Sequence, residues 1–267
     1  MNKNAAFLLL LAFGVSMAGP TALAFEDTPV FAERLNPGGE GRRRALPEHF
    51  SAIASPAWVD EIRLAPVNTK ELIAASQAGK LDEVKTLLAA GALPNGADEL
   101  GQRPLLVAVA EGQAEIARLL LQRGASPDVK GPQGRTPLSI ASAAGNLGIV
   151  RSLLRAGAEV DARSDNRATA LHEAIRFNHP DIVRALLAAG PNPERYDREG
   201  LHPLALAAAK GRLACLKNLL DAGVAPDLPD RTGLTALYWA RRYDQALAES
   251  ILVEHGASRE AWPVLEN

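Results

Sequence analysis

Six side chains in this sequence are of the types most often used for metal binding, nucleophilic attack or proton transfer: His49, His172, His179, His202, His255 and Cys215. A zinc site needs three or four His, Cys or carboxylate ligands at short, regular spacings. None of the five histidines pairs with a cysteine or carboxylate at such a spacing. Cys215 is the only cysteine and so cannot close an intramolecular disulfide. No serine stands in a nucleophile-elbow sequence, and no glycine-rich loop is built to cradle phosphate. The reading is therefore of a chain with no catalytic set, no metal site and no cofactor.

The order behind these residues appears on counting from Leu138 in steps of 33. Leu72, Leu105, Leu138, Leu171, Leu204 and Leu237 fall on the count, with no insertion or deletion. Three residues later stand Ala75, Ala108, Ala141, Ala174, Ala207 and Ala240. Nineteen residues after each leucine stand Gly91, Gly124, Gly157, Gly190, Gly223 and Gly256. Three columns, each invariant over six steps, mark a chain built by stacking one small unit.

Each column has a physical reason. Thr136, Thr169 and Thr235 stand where a helix N-cap belongs, and Pro104, Pro137 and Pro203 occupy the first helical position, where a missing N–H costs nothing. His202 replaces a capping threonine. The Leu and Ala then face inward, the alanines small so that a second helix can lie close. Gly79, Gly112, Gly145 and Gly211, with Asn178 in the fourth unit, are expected to end that helix left-handed. Apolar residues at helical spacing, such as Ile149, Val150, Leu153 and Leu154, predict the second helix. Cys215 falls in the column of Ile116, Ile149 and Ile182, which reads as a small buried apolar side chain. Runs such as "KGPQGR" and "DREGLH" between units are turn chemistry suited to a projecting hairpin.

With "GRTPLSIASAAGN" in the third unit, "TALHEA" in the fourth and "HPLALAAAKG" in the fifth, the pattern resembles the ankyrin repeat. The resemblance implies an all-α solenoid of six 33-residue helix-turn-helix units with projecting hairpin loops. The units are expected at 65–97, 98–130, 131–163, 164–196, 197–229 and 230–262, with 263–267 as a C-terminal tail. It also implies structural hydrogen-bonding roles for His172 and His179. Lys70-Glu71 in place of Thr-Pro, Glu83 in an isoleucine column, and Ala248-Glu249 at the positions of Ile149-Val150 fit capping units, each with one face toward water.

The residues outside this array predict a compartment. Lys3, an apolar run from Ala5 to Val15, and Ala22-Leu23-Ala24 read as a secretory signal cleaved after Ala24. Gly19-Pro20 interrupts the apolar run, which is short for a membrane span, so no stable membrane anchor is expected after cleavage. Residues 25–64 carry four prolines, Gly38-Gly39 and Arg42-Arg43-Arg44, and read as an extended leader in which Trp58 and Ile62 could meet the first repeat. Localisation is expected to be periplasmic or secreted. The 47% hydrophobic content suffices for a core, and a net charge of −2 gives no field that would draw nucleic acid.

Ankyrin-like stacks imply a protein partner, bound along the hairpin tips and the outward side of the first helix. In this register the hairpin columns hold Arg163, Asp165, Asn166, Tyr196, Arg198, Glu199, Leu201, Arg231 and Leu234. The first-helix columns hold Arg176, Phe177, Lys210, Arg242 and Tyr243, whereas earlier units offer mainly Ala110, Ala143, Ala144, Gln133 and Lys130. Interfaces are anchored preferentially by aromatic residues and arginine, so the partner is expected on units four to six, with Phe177, Tyr196 and Tyr243 as anchors. The alternative is an ordinary solvated surface with a few aromatics. The function expected is a non-enzymatic interaction module. More specific forms are an accessory factor for one periplasmic enzyme, or a secreted effector binding a host protein.

Overall fold

The computed structural model describes residues 69–259. By internal contacts the chain divides into two units, Met1–Arg63 and Leu64–Asn267, and every described residue belongs to the second. The expected signal segment, the leader with Arg42–Arg44, His49, Trp58 and Ile62, and the tail at 263–267 lie outside the described residues.

Twelve α-helical segments in consecutive pairs occupy the described residues. They are α1 (69–77) and α2 (Leu81–Ala89), α3 (Pro104–Ala110) and α4 (Ala114–Gln122), then α5 (Pro137–Ala144) and α6 (Leu147–Arg155). The remainder are α7 (Ala170–Arg176) and α8 (Pro180–Leu187), α9 (Pro203–Ala209) and α10 (Leu213–Asp221), and α11 (Ala236–Arg242) and α12 (Ala246–Glu254). A short 3-10 turn spans Pro132–Gly134. Among the described residues there is no strand, only one isolated bridge between Pro229 and Thr235. First helices stack on first helices and second on second, so the described residues form two helical layers. The leucine column lies between them, and none of its six members is more than 2% exposed. The alanine column is equally buried, and its lack of bulk lets the two helices of a pair close on each other.

Helix ends follow the expected chemistry. Thr136 Oγ1 accepts the Ser139 N–H at 3.3 Å, and Thr235 Oγ1 accepts that of Tyr238 at 3.4 Å. His202 caps α9 with its ring: Nδ1 accepts the Ala205 N–H at 3.2 Å, while Nε2 lies 2.9 Å from the Leu228 carbonyl. A carbonyl can only accept, so Nε2 carries the proton. His172 is set the same way, Nε2 donating to the Leu201 carbonyl at 3.2 Å and Nδ1 facing Thr169 N–H and Oγ1. Both imidazoles are thus neutral, and each bonds its own helix start and the backbone of a later segment.

The glycines that close the second helices all have positive φ, from +75° at Gly190 to +94° at Gly91. Five hairpin turns follow the same period. In each, the N–H of residue 98, 131, 164, 197 or 230 donates to the carbonyl four residues on, at 2.7–3.1 Å. Four of these turns place a glycine at the left-handed position, but the fourth-unit pair uses Arg167 at φ +59°. Neighbouring hairpins are joined by backbone bonds from Asp165 N to Gln133 O, Arg198 N to Asn166 O and Arg231 N to Gly200 O. The matching donor position one step earlier is Pro132, which has no N–H, and there the chain of bonds stops.

Two stability predictions follow from these geometries. Arg167→Gly should raise the urea midpoint, by about 0.5 kcal/mol, since relief of a left-handed non-glycine residue outweighs the freedom glycine adds to the unfolded chain. Gly157→Ala should lower it by about 1 kcal/mol through backbone strain alone, because a Cβ there would meet nothing within 4 Å. A third prediction concerns pH. Burial, the largest cause, pushes the His172 imidazole down to about 4 and His202 in the same direction. Between pH ~6.5 and ~4 the unfolded chain therefore binds a proton that the folded chain refuses, and stability falls as pH falls through that window. At about 1.36 kcal/mol per unit, His172 alone accounts for roughly 3 kcal/mol. Urea titrations from pH 7 to 4 should show this loss, and His172→Gln should flatten it; parallel curves for the two proteins would contradict it.

Candidate functional site

The described surface has one region where two kinds of element converge, the hairpins and the outward side of the first helices. Two open clefts lie along it. One, about 180 Å³, is lined by Gln133, Arg135, Ser164 and Asn166 from hairpins and by Glu173, Arg176 and Phe177 at α7. The other, about 360 Å³, is lined by Glu199 and Leu201 from a hairpin, by Leu206, Ala209, Lys210 and Arg212 around α9, and by Tyr243 just beyond α11.

A buried carboxylate positions each half of this region. Asp197 is 1% exposed. Its Oδ1 accepts the N–H groups of Glu199 and Leu201 at 2.9 and 3.1 Å, and its Oδ2 receives Arg176 Nη2 at 3.3 Å. One aspartate thus closes the hairpin turn and fixes a guanidinium on the neighbouring first helix. Asp230, 33 residues on, accepts from Thr232 N, Thr232 Oγ1 and Leu234 N, and takes Trp239 Nε1 on its other oxygen at 2.7 Å. Burial works against its ionisation, but the hydrogen bonds from Thr232, Leu234 and Trp239 hold its carboxyl below the ordinary carboxylate range. The indole so fixed stacks on Tyr243, with ring centroids 6.0 Å apart and planes 16° from parallel, and meets Tyr238 edge-on at 5.5 Å.

The residues singled out from sequence divide into two groups. Phe177 and Tyr243 are 53% and 54% exposed, and Asp165, Arg198, Lys210, Arg231 and Arg242 are exposed beside them. Arg163, Arg176 and Tyr196 are half-buried and turned to internal work. Arg163 Nη2 donates to the Tyr196 carbonyl at 2.9 Å, and the Tyr196 hydroxyl donates to the Pro229 carbonyl at 3.3 Å. The Tyr196 ring also meets His202 edge-on. Leu201, read as part of an exposed hairpin column, is only 5% exposed, because the turn closed by Asp197 folds its side chain onto the core. Arg135, Glu173, Arg212 and Trp239 belong to the region without having been marked. Their one signal was position, since each stands at or near a column that already held a marked residue.

The groups that could do chemistry are engaged elsewhere. His179 Nε2 faces the Ala143 carbonyl at 3.1 Å, and His255 Nδ1 the Ile251 carbonyl at 2.7 Å. Cys215 is a buried residue of α10, and burial pushes its thiol up to about 11. Among the described residues, no three His, Cys, Asp or Glu side chains are grouped to hold a metal ion, and no helix is long and apolar enough to cross a membrane.

Comparison with known proteins agrees with this geometry. A family profile described as Ankyrin repeats (3 copies) matches residues 63–131, 126–197 and 171–261. An ankyrin repeat domain from Acinetobacter baumannii AYE, known from a crystal structure, is 30% identical in sequence. That match covers 70% of this chain and 98% of the other, with a TM-score of 0.66. No curated protein matches. Ankyrin repeats are in general modules of protein–protein interaction, typically scaffolds without enzymatic activity. A period of 33, paired helices, hairpins on the same count and a profile that spans them all lead to one assignment: this chain belongs to the ankyrin-repeat family.

Proposed function

We propose that this chain is an exported, non-enzymatic binding module that holds a partner protein along the hairpins and first helices of its last three helix pairs. The observation that carries the reading is the pair Phe177 and Tyr243. Two aromatic rings stand more than half exposed at the ends of first helices, 66 positions apart in one column, beside open clefts. Exposed aromatic side chains beside desolvatable clefts are the usual anchors of a protein interface. The supports beneath them favour the same reading. Trp239 is pinned by Asp230 and backs Tyr243, and Arg176 is pinned by Asp197, so little side-chain freedom is lost on binding.

Export rests on the N-terminal sequence: Lys3, the apolar run to Val15 and Ala22-Leu23-Ala24. The partner would then be met in the periplasm or outside the cell.

Two measurements test the reading. Affinity capture with the mature protein from fractionated cells should recover one partner, and Phe177→Ala with Tyr243→Ala should reduce that recovery at least tenfold while circular dichroism shows the variant folded. Tyr196→Phe, which removes only a hydroxyl bonded to Pro229, should leave recovery unchanged. Full recovery by the double variant would place the partner elsewhere. Mass analysis of the exported form should find a chain beginning at Phe25.

A further inference from the structure

Two columns of the strip change character together along the stack. The first-helix column runs Glu111, Ala144, Phe177, Lys210, Tyr243, and the hairpin column runs Glu99, Pro132, Asp165, Arg198, Arg231. From the second unit on, each starts with a glutamate; the first-helix column ends Phe177, Lys210, Tyr243, and the hairpin column ends Arg198, Arg231. At the far end the cations lack partners: Arg198, Lys210, Arg231 and Arg242 are exposed and make no ion pair among the described residues. Three carboxylates at this end are already used: Asp197 by Arg176, Asp230 by Thr232 and Trp239, and Glu249 by Arg241 at 2.9 Å. Glu199 and Asp244 beside the four cations, and Asp165 and Glu173 nearer Phe177, make no ion pair among the described residues, so the cations around Lys210 stay in excess. Arg176 and Arg212, which line the two clefts, each keep a buried Nε with no acceptor. The charge complement to this end is therefore anionic.

The column also carries a length. Phe177, Lys210 and Tyr243 sit one per first helix on α7, α9 and α11 or just beyond, and those helices pack side by side in that order. Packed helices lie about 8–10 Å apart, so the aromatic–cation–aromatic series repeats at about that step. A polyproline-II segment has three residues per turn and rises about 3.1 Å per residue, which puts every third side chain on one face about 9 Å apart. A β-strand does not match, because its side chains at i and i+3 point to opposite faces.

We propose that the strip binds a polyproline-II segment of a partner protein in which one Asp or Glu is flanked, three residues away on each side, by apolar side chains. The carboxylate meets Lys210 at the end whose hairpins carry Arg198 and Arg231, and the apolar residues cover Phe177 and Tyr243. This rests on the reading of the strip as the binding surface and adds the chemistry and conformation of what fills it.

The test is selection of a displayed library of random twelve-residue peptides on the full chain. Parallel selections use Lys210→Glu with Arg231→Glu, and Phe177→Ala with Tyr243→Ala, after circular dichroism shows each variant folded. The expected result is at least tenfold enrichment of the apolar-x-x-acid-x-x-apolar spacing over the unselected library. A synthetic selected peptide should lose at least tenfold in affinity on either variant, lose as much when its acid becomes the amide, and keep its affinity when the intervening positions become proline. Peptides that depend on Phe177 and Tyr243 but show no acid would leave the surface standing and overturn this proposal alone. Peptides indifferent to both variants would overturn the proposal and the surface together. Tighter binding of a twelve-nucleotide thymidine oligomer than of any selected peptide would reassign the strip to nucleic acid and overturn it.

Discussion

A leucine at the second position of a helix of seven or eight residues cannot be kept dry by that helix, nor by the single partner helix beside it. Leu138 is fully buried because α3 and α7 flank α5 in one layer and α6 backs it in the other. The same holds for each interior member of the column, each worth about 1.5–3 kcal/mol when removed from water. Stability in this protein is therefore a property of neighbours, and one helix pair removed from the middle would expose the leucines on both sides of the gap. Every other regularity follows from that requirement. The alanines are small because the layers must approach, and the glycines are left-handed because the chain must reverse within a few residues and start again on the same count.

Stacking fixes the distance between like positions, and hydrogen bonds exploit it. Asn95, Asp128, Asp161 and Asp227 each accept a backbone N–H 31 residues further on, from Ser126, Glu159, Asn192 and Ser258. His172 and His202 bond backbone 29 and 26 residues away. Each bond satisfies a group in the next unit that would otherwise face only water, so these contacts set register where apolar packing, being non-directional, sets only proximity. Asp165, Arg198 and Arg231 join neighbouring hairpin turns, and that joint is lacking at Pro132. The exposed aromatics belong to the units whose hairpins are so joined.

What the sequence disclosed and what it withheld divide along the same line. Helix starts at Thr136 and Pro137, the buried leucine and alanine columns, and the left-handed glycines all depend on a residue's own backbone or on packing repeated at each step. Position alone made them legible. The destinations of long polar side chains were not legible. Arg163 and Tyr196 stand in columns that face outward, yet each reaches a carbonyl 33 residues away, a contact that exists only once two units are stacked. Leu201 looked exposed for the same reason in reverse, since its burial follows from the turn that Asp197 closes. Asp197 falls in a run that reads as turn chemistry, but nothing in the sequence shows that the second oxygens of Asp197 and Asp230 hold Arg176 and Trp239.

The division also explains where function can reside in such a chain. A position that faces the core is constrained at every step by the same neighbours, so it repeats. A position that faces outward along the hairpins and first helices has no such constraint, and there the residues differ from unit to unit: Glu111, Ala144, Phe177, Lys210 and Tyr243 in one column. The buried histidines and the cysteine also face inward, with both imidazole nitrogens of His172 and His202 occupied and the Cys215 thiol driven up by burial. Exposed Phe177, Lys210 and Tyr243 face outward. Asp230 with Trp239 and Asp197 with Arg176 fix the side chains behind them, so on the proposed reading the surface is already shaped when a partner meets it.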